Sequence, residues 1–368
     1  ISENTASRGG GLHIQGSATM TMTDCTITEN TVSGDGGGLS IYGSATVYMT
    51  QCTISKNTAS TVFGGGLCIR DSATVATMTS CTISENTAST NQFGGGLFII
   101  DSATLFMSSC IISKNTCGDS GGGLCIGIAT VTMTSCIISE NIATVNGGGL
   151  LIDIAALLTM TSCTLTGNTA GNFGGGLYSN GVTATVTMTN CTVSKNTASA
   201  PCTNCRIHAG GLYIYSATLT MTGCTISENT ATDGDAGGGG LYIDGSATIT
   251  MTGCTISENN ANRNGGGMEI HDSAIVIMSD CTITENTAII NGGGLDISDS
   301  ATVTMSGCTI TENTAAYTGG GLGIFNSATV IMTSCTISEN TATYLGGGLC
   351  IYSVIVTMTE CTISENTA

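Results

Sequence analysis

An all-β parallel solenoid of about thirteen coils is the fold class this 368-residue sequence predicts, on three observations. One unit, such as Gly292–Ala315 (GGGLDISDSATVTMSGCTITENTA), recurs along the whole chain. Within the unit, apolar and polar residues alternate with a period of two. The same residue types return at the same phase of every unit. A fixed period of roughly 20–50 residues marks repeat architectures, in which each unit buries its apolar face only against its neighbours.

Two columns fix the period. A Cys stands at Cys25, Cys52, Cys81, Cys110, Cys136, Cys163, Cys191, Cys224, Cys254, Cys281, Cys308, Cys335 and Cys361. Five residues after each comes an Asn: Asn30, Asn57, Asn86, Asn115, Asn141, Asn168, Asn196, Asn229, Asn259, Asn286, Asn313, Asn340 and Asn366. The steps run from 26 to 33 residues and average 28. In Ala301–Ser306, Ala301, Val303 and Met305 alternate with hydroxyl residues. Leu295 and Ile297 flank Asp296, and Cys308 and Ile310 flank Thr309. Short alternating runs rich in Val, Ile and Thr, bounded by Gly or Asn, read as strands with one buried face. Three such strands per coil are expected. The Thr and Gly content excludes helices. Hairpins would set unlike residues side by side, whereas one recurrence per coil favours parallel pairing of each strand with its copy about 4.8 Å away.

Composition narrows the class of function. The chain has 53 Gly, one Pro, no Trp and 9% charged residues, yet is 41% hydrophobic, so it is not a disordered polymer. Seven Lys and Arg against a net charge of −18 give nucleic acid and anionic membranes no basic patch to meet. No apolar run approaches the ~20 residues of a membrane span, so no membrane insertion by this segment is expected. The sequence ISENTA both opens and closes the chain, which predicts one continuous repeat domain over 1–368, cut from a longer chain or filament.

GGGL, followed in the same coil by Ile-x-x-Asn (Ile27 to Asn30, Ile310 to Asn313), resembles the GGA-I/L and F-x-x-N signatures of polymorphic outer-membrane-protein repeats. More broadly the chain is similar to the pectin-lyase-like right-handed parallel β-helix superfamily. The resemblance covers the whole chain. It departs in placing Ile, Leu or Val where that family has Phe, and a third Gly where it has Ala. It implies a right-handed coil and an extracellular or cell-surface location.

Each column then has a structural and a functional reading. The Asn column predicts a ladder of amides bonding along the stack. The recurrent text is Asn-Thr-Ala, so the one glycosylation sequon is at Asn190 (Asn190-Cys191-Thr192). The Cys column shares the inward phase of Ile and predicts buried, reduced thiols. Cys68, Cys125 and Cys350 fall at the outward position after Leu, and Cys117 in a turn. Cys202 and Cys205, in the longest insertion with His208, are candidates for a local disulfide, the metal reading lacking a fourth ligand. The residue before each Asn is mostly Glu, unrelieved at Glu228, Glu258, Glu285, Glu312, Glu339 and Glu365. That stripe is a candidate Ca²⁺ column, with a solvated acidic edge as the plainer reading. Lys56, Lys114, Lys195 and Gly167 interrupt it. Outward Thr rows suit exposed strands and also an ice-binding lattice.

No unique constellation interrupts the repeat. His13, His208 and His271 are far apart in sequence, and Asp71, Asp101, Asp272 and Asp299 recur at turns. No enzyme and no cofactor beyond Ca²⁺ are expected. The most variable outward positions are on the Leu strand: His13, Phe98, Tyr178, Tyr213, Tyr242, Glu269 and Asp296. The expectation is a non-enzymatic structural element of a surface or filament, its partner itself end to end. Alternatives are a glycan-binding adhesin or an ice-binding solenoid.

Overall fold

The structure, a computed structural model, describes residues 1–61, 63–71, 75–199, 208–232 and 236–368. These are strands and turns with no helix, and they divide into two compact units: Ile1–Gly171 with Gly175–Val186, and Asn172–Gly174 with Thr187–Ala368. Cys202 and Cys205 lie outside the described residues.

In the first unit a representative coil runs through strands Leu97–Ile99, Thr104–Ser108, Ile111–Ser113 and Thr116–Ser120. Each pairs in parallel with its copy one coil away, Leu97 opposite Leu67 and Leu124, Met107 opposite Met78 and Met133. In the second unit the coil Leu295–Ile297, Thr302–Ser306, Thr309–Thr311 and Thr314–Ala315 repeats the pattern, in register with coils on both sides. Four strands per coil replace the three read from sequence. The fourth, Thr-Ala after the Asn, is two residues long in most coils, too short for alternation to reveal.

The core repeats by coil. Leu295, Ile297, Val303, Met305, Ile310 and Ala315 are wholly buried, and Cys308 nearly so. The residue before each Asn takes a left-handed conformation, as at Glu285 (φ 56°), Lys195 (φ 56°) and Gly167 (φ 65°). The middle Gly of each triplet meets a different limit: a Cβ on Gly293 would lie 2.4 Å from the Gly320 carbonyl oxygen of the next coil.

The Leu strand departs from expectation on its outer face. Its middle residue, taken as outward, is buried at Ser40, Cys68, Phe98, Cys125, Tyr213, Tyr242, Glu269 and Asp296. The segment between the fourth strand and the Gly triplet lies over it, as where Phe63 stacks on Phe98 at 4.5 Å between ring centroids. Cys68 and Cys125 are therefore interior, and Cys350 is half-buried. Cys117 is corrected from a turn to a strand, buried at the position of Ala88 and Ala143.

Candidate functional site

The columns singled out in the sequence come first. In the first unit the Asn57 side-chain amide donates to Asn86 Oδ1 (3.0 Å) and to the Ile27 carbonyl (3.0 Å). In the second, Asn259 does the same to Asn286 Oδ1 (2.9 Å) and Ile226 (3.0 Å), and its own Oδ1 accepts from the backbone and side chain of Asn229. Amides with every donor and acceptor engaged can be wholly buried, and Asn57 and Asn259 are. The described column cysteines are free thiols, most donating to the carbonyl two residues back, as Cys281 does to Ser279 (3.3 Å). Asn190 is exposed in a left-handed turn (φ 51°).

Among the described residues the Glu stripe brings no three donors within mutual reach. Its left-handed turn sends Glu228, Glu258, Glu285, Glu312, Glu339 and Glu365 into solvent. Lys195 meets Glu228 at 3.5 Å, and Lys114 meets Glu140 at 3.9 Å, loose and exposed pairs of little energetic weight. Among the described residues one group of three His, Cys, Asp or Glu donors comes within mutual reach: Glu269, His271 and Asp296, with ligand atoms within 4.8 Å of one another.

That group belongs to the second unit and grows from the repeat. Glu269 and Asp296 are register partners in adjacent Leu strands, and His271 follows Glu269 by two residues. The covered outer face buries both carboxyls, leaving Glu269 4% and Asp296 2% exposed. His271 Nε2 lies 2.7 Å from Glu269 Oε1. Its Nδ1 lies 2.7 Å from Ser298 Oγ and 3.4 Å from Asp299 Oδ2. Asn264, from the covering segment, donates to Glu269 Oε1 at 3.4 Å. Glu269 Oε2 and Asp296 Oδ1 are buried without a hydrogen-bond partner. Beside them opens a cleft of about 440 Å³ lined by Tyr242, Asp244, Arg263, Asp272 and Asp299 among others. The ring of Tyr242 lies between His208 (4.0 Å between centroids) and His271 (5.4 Å), in a stack that continues through Tyr213 and Phe173.

Electrostatics follow from burial and crowding. Burial, then the neighbouring Glu269 charge, hold the Asp296 carboxyl well above the usual carboxylate range. Burial alone would lower the His271 imidazole, but the hydrogen bond and charge of Glu269, with Asp296 and Asp299, raise it to about 9. Burial and a hydrogen bond to Asp272 raise Asp244. The first unit shows what a compensated buried carboxylate looks like on the same face. Asp35 accepts from the Tyr42 hydroxyl and from Arg70 Nη1 (3.1 Å), and Arg70 rests over Phe63 and Phe98. Glu269 and Asp296 have no such closure on their inner oxygens, and each orphaned oxygen costs about 1–3 kcal/mol or more.

Sequence reasoning named Glu269 and Asp296 only as variable outward residues and set His271 apart as isolated. Their 27-residue separation, one coil, was the signal that places them side by side. The premise that no constellation interrupts the repeat is overturned here. The repeat itself brings His208 and His271 to two sides of one tyrosine ring and three ligand groups to one point.

The family model described as the right handed beta helix region matches residues 10–202, 124–291 and 239–368. No curated protein sequence matches the chain. Among solved structures, the chain is similar to the periplasmic alginate epimerase AlgG, with 10% identity and a TM-score of 0.43 over 87% of this chain and 77% of that one. A double mutant of that protein gives 9% identity, a TM-score of 0.49 and the same coverage. At such identity the likeness is one of fold. The right-handed β-helix expectation stands, while the outer-membrane-repeat subtype is not part of what these matches cover. The expectation of a non-enzymatic structural element, with its adhesin and ice-binding alternatives, is corrected: the solved structures similar to this chain are of an enzyme, so the fold does not single out a structural role. Exposed Tyr48, Phe106, Ile275, Ile277 and Ile331 also interrupt the Thr rows.

Proposed function

Since the chain belongs to the right-handed β-helix family, we propose that its function resides in the acidic cleft on the outer face of the second unit, and that this cleft binds a cationic ligand. The observation that carries the reading is the pair of buried, unpartnered carboxylate oxygens on Glu269 and Asp296. Asp244, Asp272 and Asp299 outnumber the one guanidinium in the lining, Arg263, and walls of low dielectric focus the negative potential that remains. The net charge of −18 draws cations toward the whole surface, but among the described residues only Glu269 and Asp296 are buried carboxylates in adjacent coils. Ion pairs on the Glu stripe stay solvated and screened. An extracellular or envelope location belongs to the same proposal, supported by the resemblance to secreted outer-membrane repeats.

Equilibrium dialysis of the full chain against Mg²⁺, Ca²⁺, Mn²⁺, Zn²⁺ and spermidine tests the reading. The expected result is saturable binding of one equivalent of at least one cation, weakened at least ~100-fold in the double variant Glu269→Gln, Asp296→Asn. Both substitutions keep shape, remove the charge and turn one acceptor oxygen of each carboxylate into an amide donor. Equal binding by that variant, or binding that rises without saturation, sinks the proposal.

A further inference from the structure

We infer that the cation is a divalent transition metal held directly by Glu269, His271 and Asp296, with at least one coordination position open to the cleft. This rests on the cation-binding reading above and names the ligand of that site. Three features carry it beyond a cluster of acids.

The first is the donor set. Hard cations such as Ca²⁺ and Mg²⁺ take oxygen ligands, whereas imidazole nitrogen suits Zn²⁺, Co²⁺, Ni²⁺ and Fe²⁺. Two carboxylates and one imidazole, ligand atoms within 4.8 Å of one another, close onto one ion at ~2.0–2.2 Å by small side-chain movements. Three protein donors leave a tetrahedral or larger shell incomplete, and two of the three, Glu269 and His271, line the cleft.

The second is the outer hydrogen bonding of His271. A metal-ligating imidazole is held by a partner on its other nitrogen, which fixes tautomer and ring orientation. Ser298 Oγ at 2.7 Å and Asp299 Oδ2 at 3.4 Å both sit at Nδ1, which leaves Nε2, 2.7 Å from Glu269 Oε1, turned toward the carboxylates, where a metal would take the place of the proton shared with Glu269 and release it to solvent. Ser298 is 5% exposed, so this support is built in and does not depend on solvent.

The third is the room made around the two orphaned oxygens. A Cβ on Gly237 would lie 1.4 Å from Glu269 Oε2, and one on Gly323 would meet the Phe325 ring at 2.7 Å and Asp296 Oδ1 at 2.9 Å. The position of Gly237 is held by Phe173 and His208 in preceding coils, and by Asn264 in the next. The position of Gly323 is held by Tyr213 and Tyr242 farther along the same column. Side chains are missing at the two places where one would press on these oxygens.

The test is titration of the full chain with Co²⁺ and Zn²⁺, read by the visible Co²⁺ spectrum and by X-ray absorption at the zinc edge. Expected are one equivalent of metal, a zinc shell of nitrogen and oxygen at about 2.0–2.2 Å with imidazole scattering, a loss of at least ~100-fold in affinity with His271→Gln, and about a tenfold loss with Ser298→Ala. Far-UV circular dichroism of each variant checks that it is folded. Ser298→Ala leaves all three donors in place, so a graded loss there cannot be put down to an unfolded site. Binding of Ca²⁺ or spermidine alone, or Zn²⁺ binding unchanged in His271→Gln, overturns this inference and leaves the cation-binding reading intact. Absence of saturable binding by every cation overturns both.

Discussion

Asn259 and Asp244 mark the two ways a polar side chain is handled here. Asn259 is wholly buried with its amide engaged on both sides, so truncation to Ala strands the Asn229 donors and the Ile226 carbonyl together. Asn259→Ala should cost roughly 3–5 kcal/mol, several unmade hydrogen bonds at ~1–3 kcal/mol each. Chemical denaturation checks this, and a loss under ~1 kcal/mol would show that the ladder carries little. Asp244 is half-buried and its carboxyl is raised by burial and by Asp272. A carboxyl raised on folding costs nothing while protonated. It weakens the fold as pH rises from the unfolded carboxylate value, ~3.9, through the higher folded one. Asp244→Asn should therefore raise the melting temperature at pH 7, with the gain vanishing near pH 3.5. A gain that is instead largest in acid would contradict the sign. The candidate site was half legible at this scale. The repeat period alone puts Glu269 beside Asp296, but their burial comes from the segment folded over the Leu strand, which has no fixed length or composition between coils.

At the scale of the element, the turn before each Asn and the Gly triplet set opposite demands. Glu285 takes a left-handed conformation that costs an ordinary residue ~1–2 kcal/mol, and its exposed side chain returns little. Glu285→Gly should stabilise the protein by about 1 kcal/mol, and differential scanning calorimetry reads the shift. Gly167 already occupies the equivalent turn in its own coil. Gly293→Ala should act the other way, by ~3 kcal/mol or more, because its Cβ would sit 2.4 Å from a backbone oxygen that is itself fixed by pairing. The same residues explain what was readable. Alternation in Ala301–Ser306 gave strand, face and register, since a period of two over six residues has no helical counterpart. Thr314–Ala315, two residues long, has no period to show, so the sequence pattern yields three strands per coil and the structure four. The same alternation points the middle of the Leu strand away from the coil interior, and the structure agrees in direction. The alternation fails on burial because a second layer of backbone covers that position.

For the whole molecule, each unit is a stack in which a coil has only its neighbours to lean on. Ligand bound to the second unit should therefore be felt by coils around it before distant ones. At 100-fold excess over its dissociation constant, a cation bound only by the folded state adds about 2.7 kcal/mol. Hydrogen exchange with and without Zn²⁺ should show added protection concentrated in residues 236–299, and a uniform change along the chain would count against local binding. The thiols supply a further readout that the sequence placed without design. One sulfhydryl stands in every coil at a matching depth, 1% exposed in Cys52, Cys81, Cys254 and Cys335, yet only half-covered in Cys25 and Cys361. An alkylating reagent can reach the deep ones only when their own coil comes apart. Timed alkylation followed by peptide mass spectrometry would turn the row into a set of clocks, one per rung, reporting where along each stack opening starts and how far it spreads.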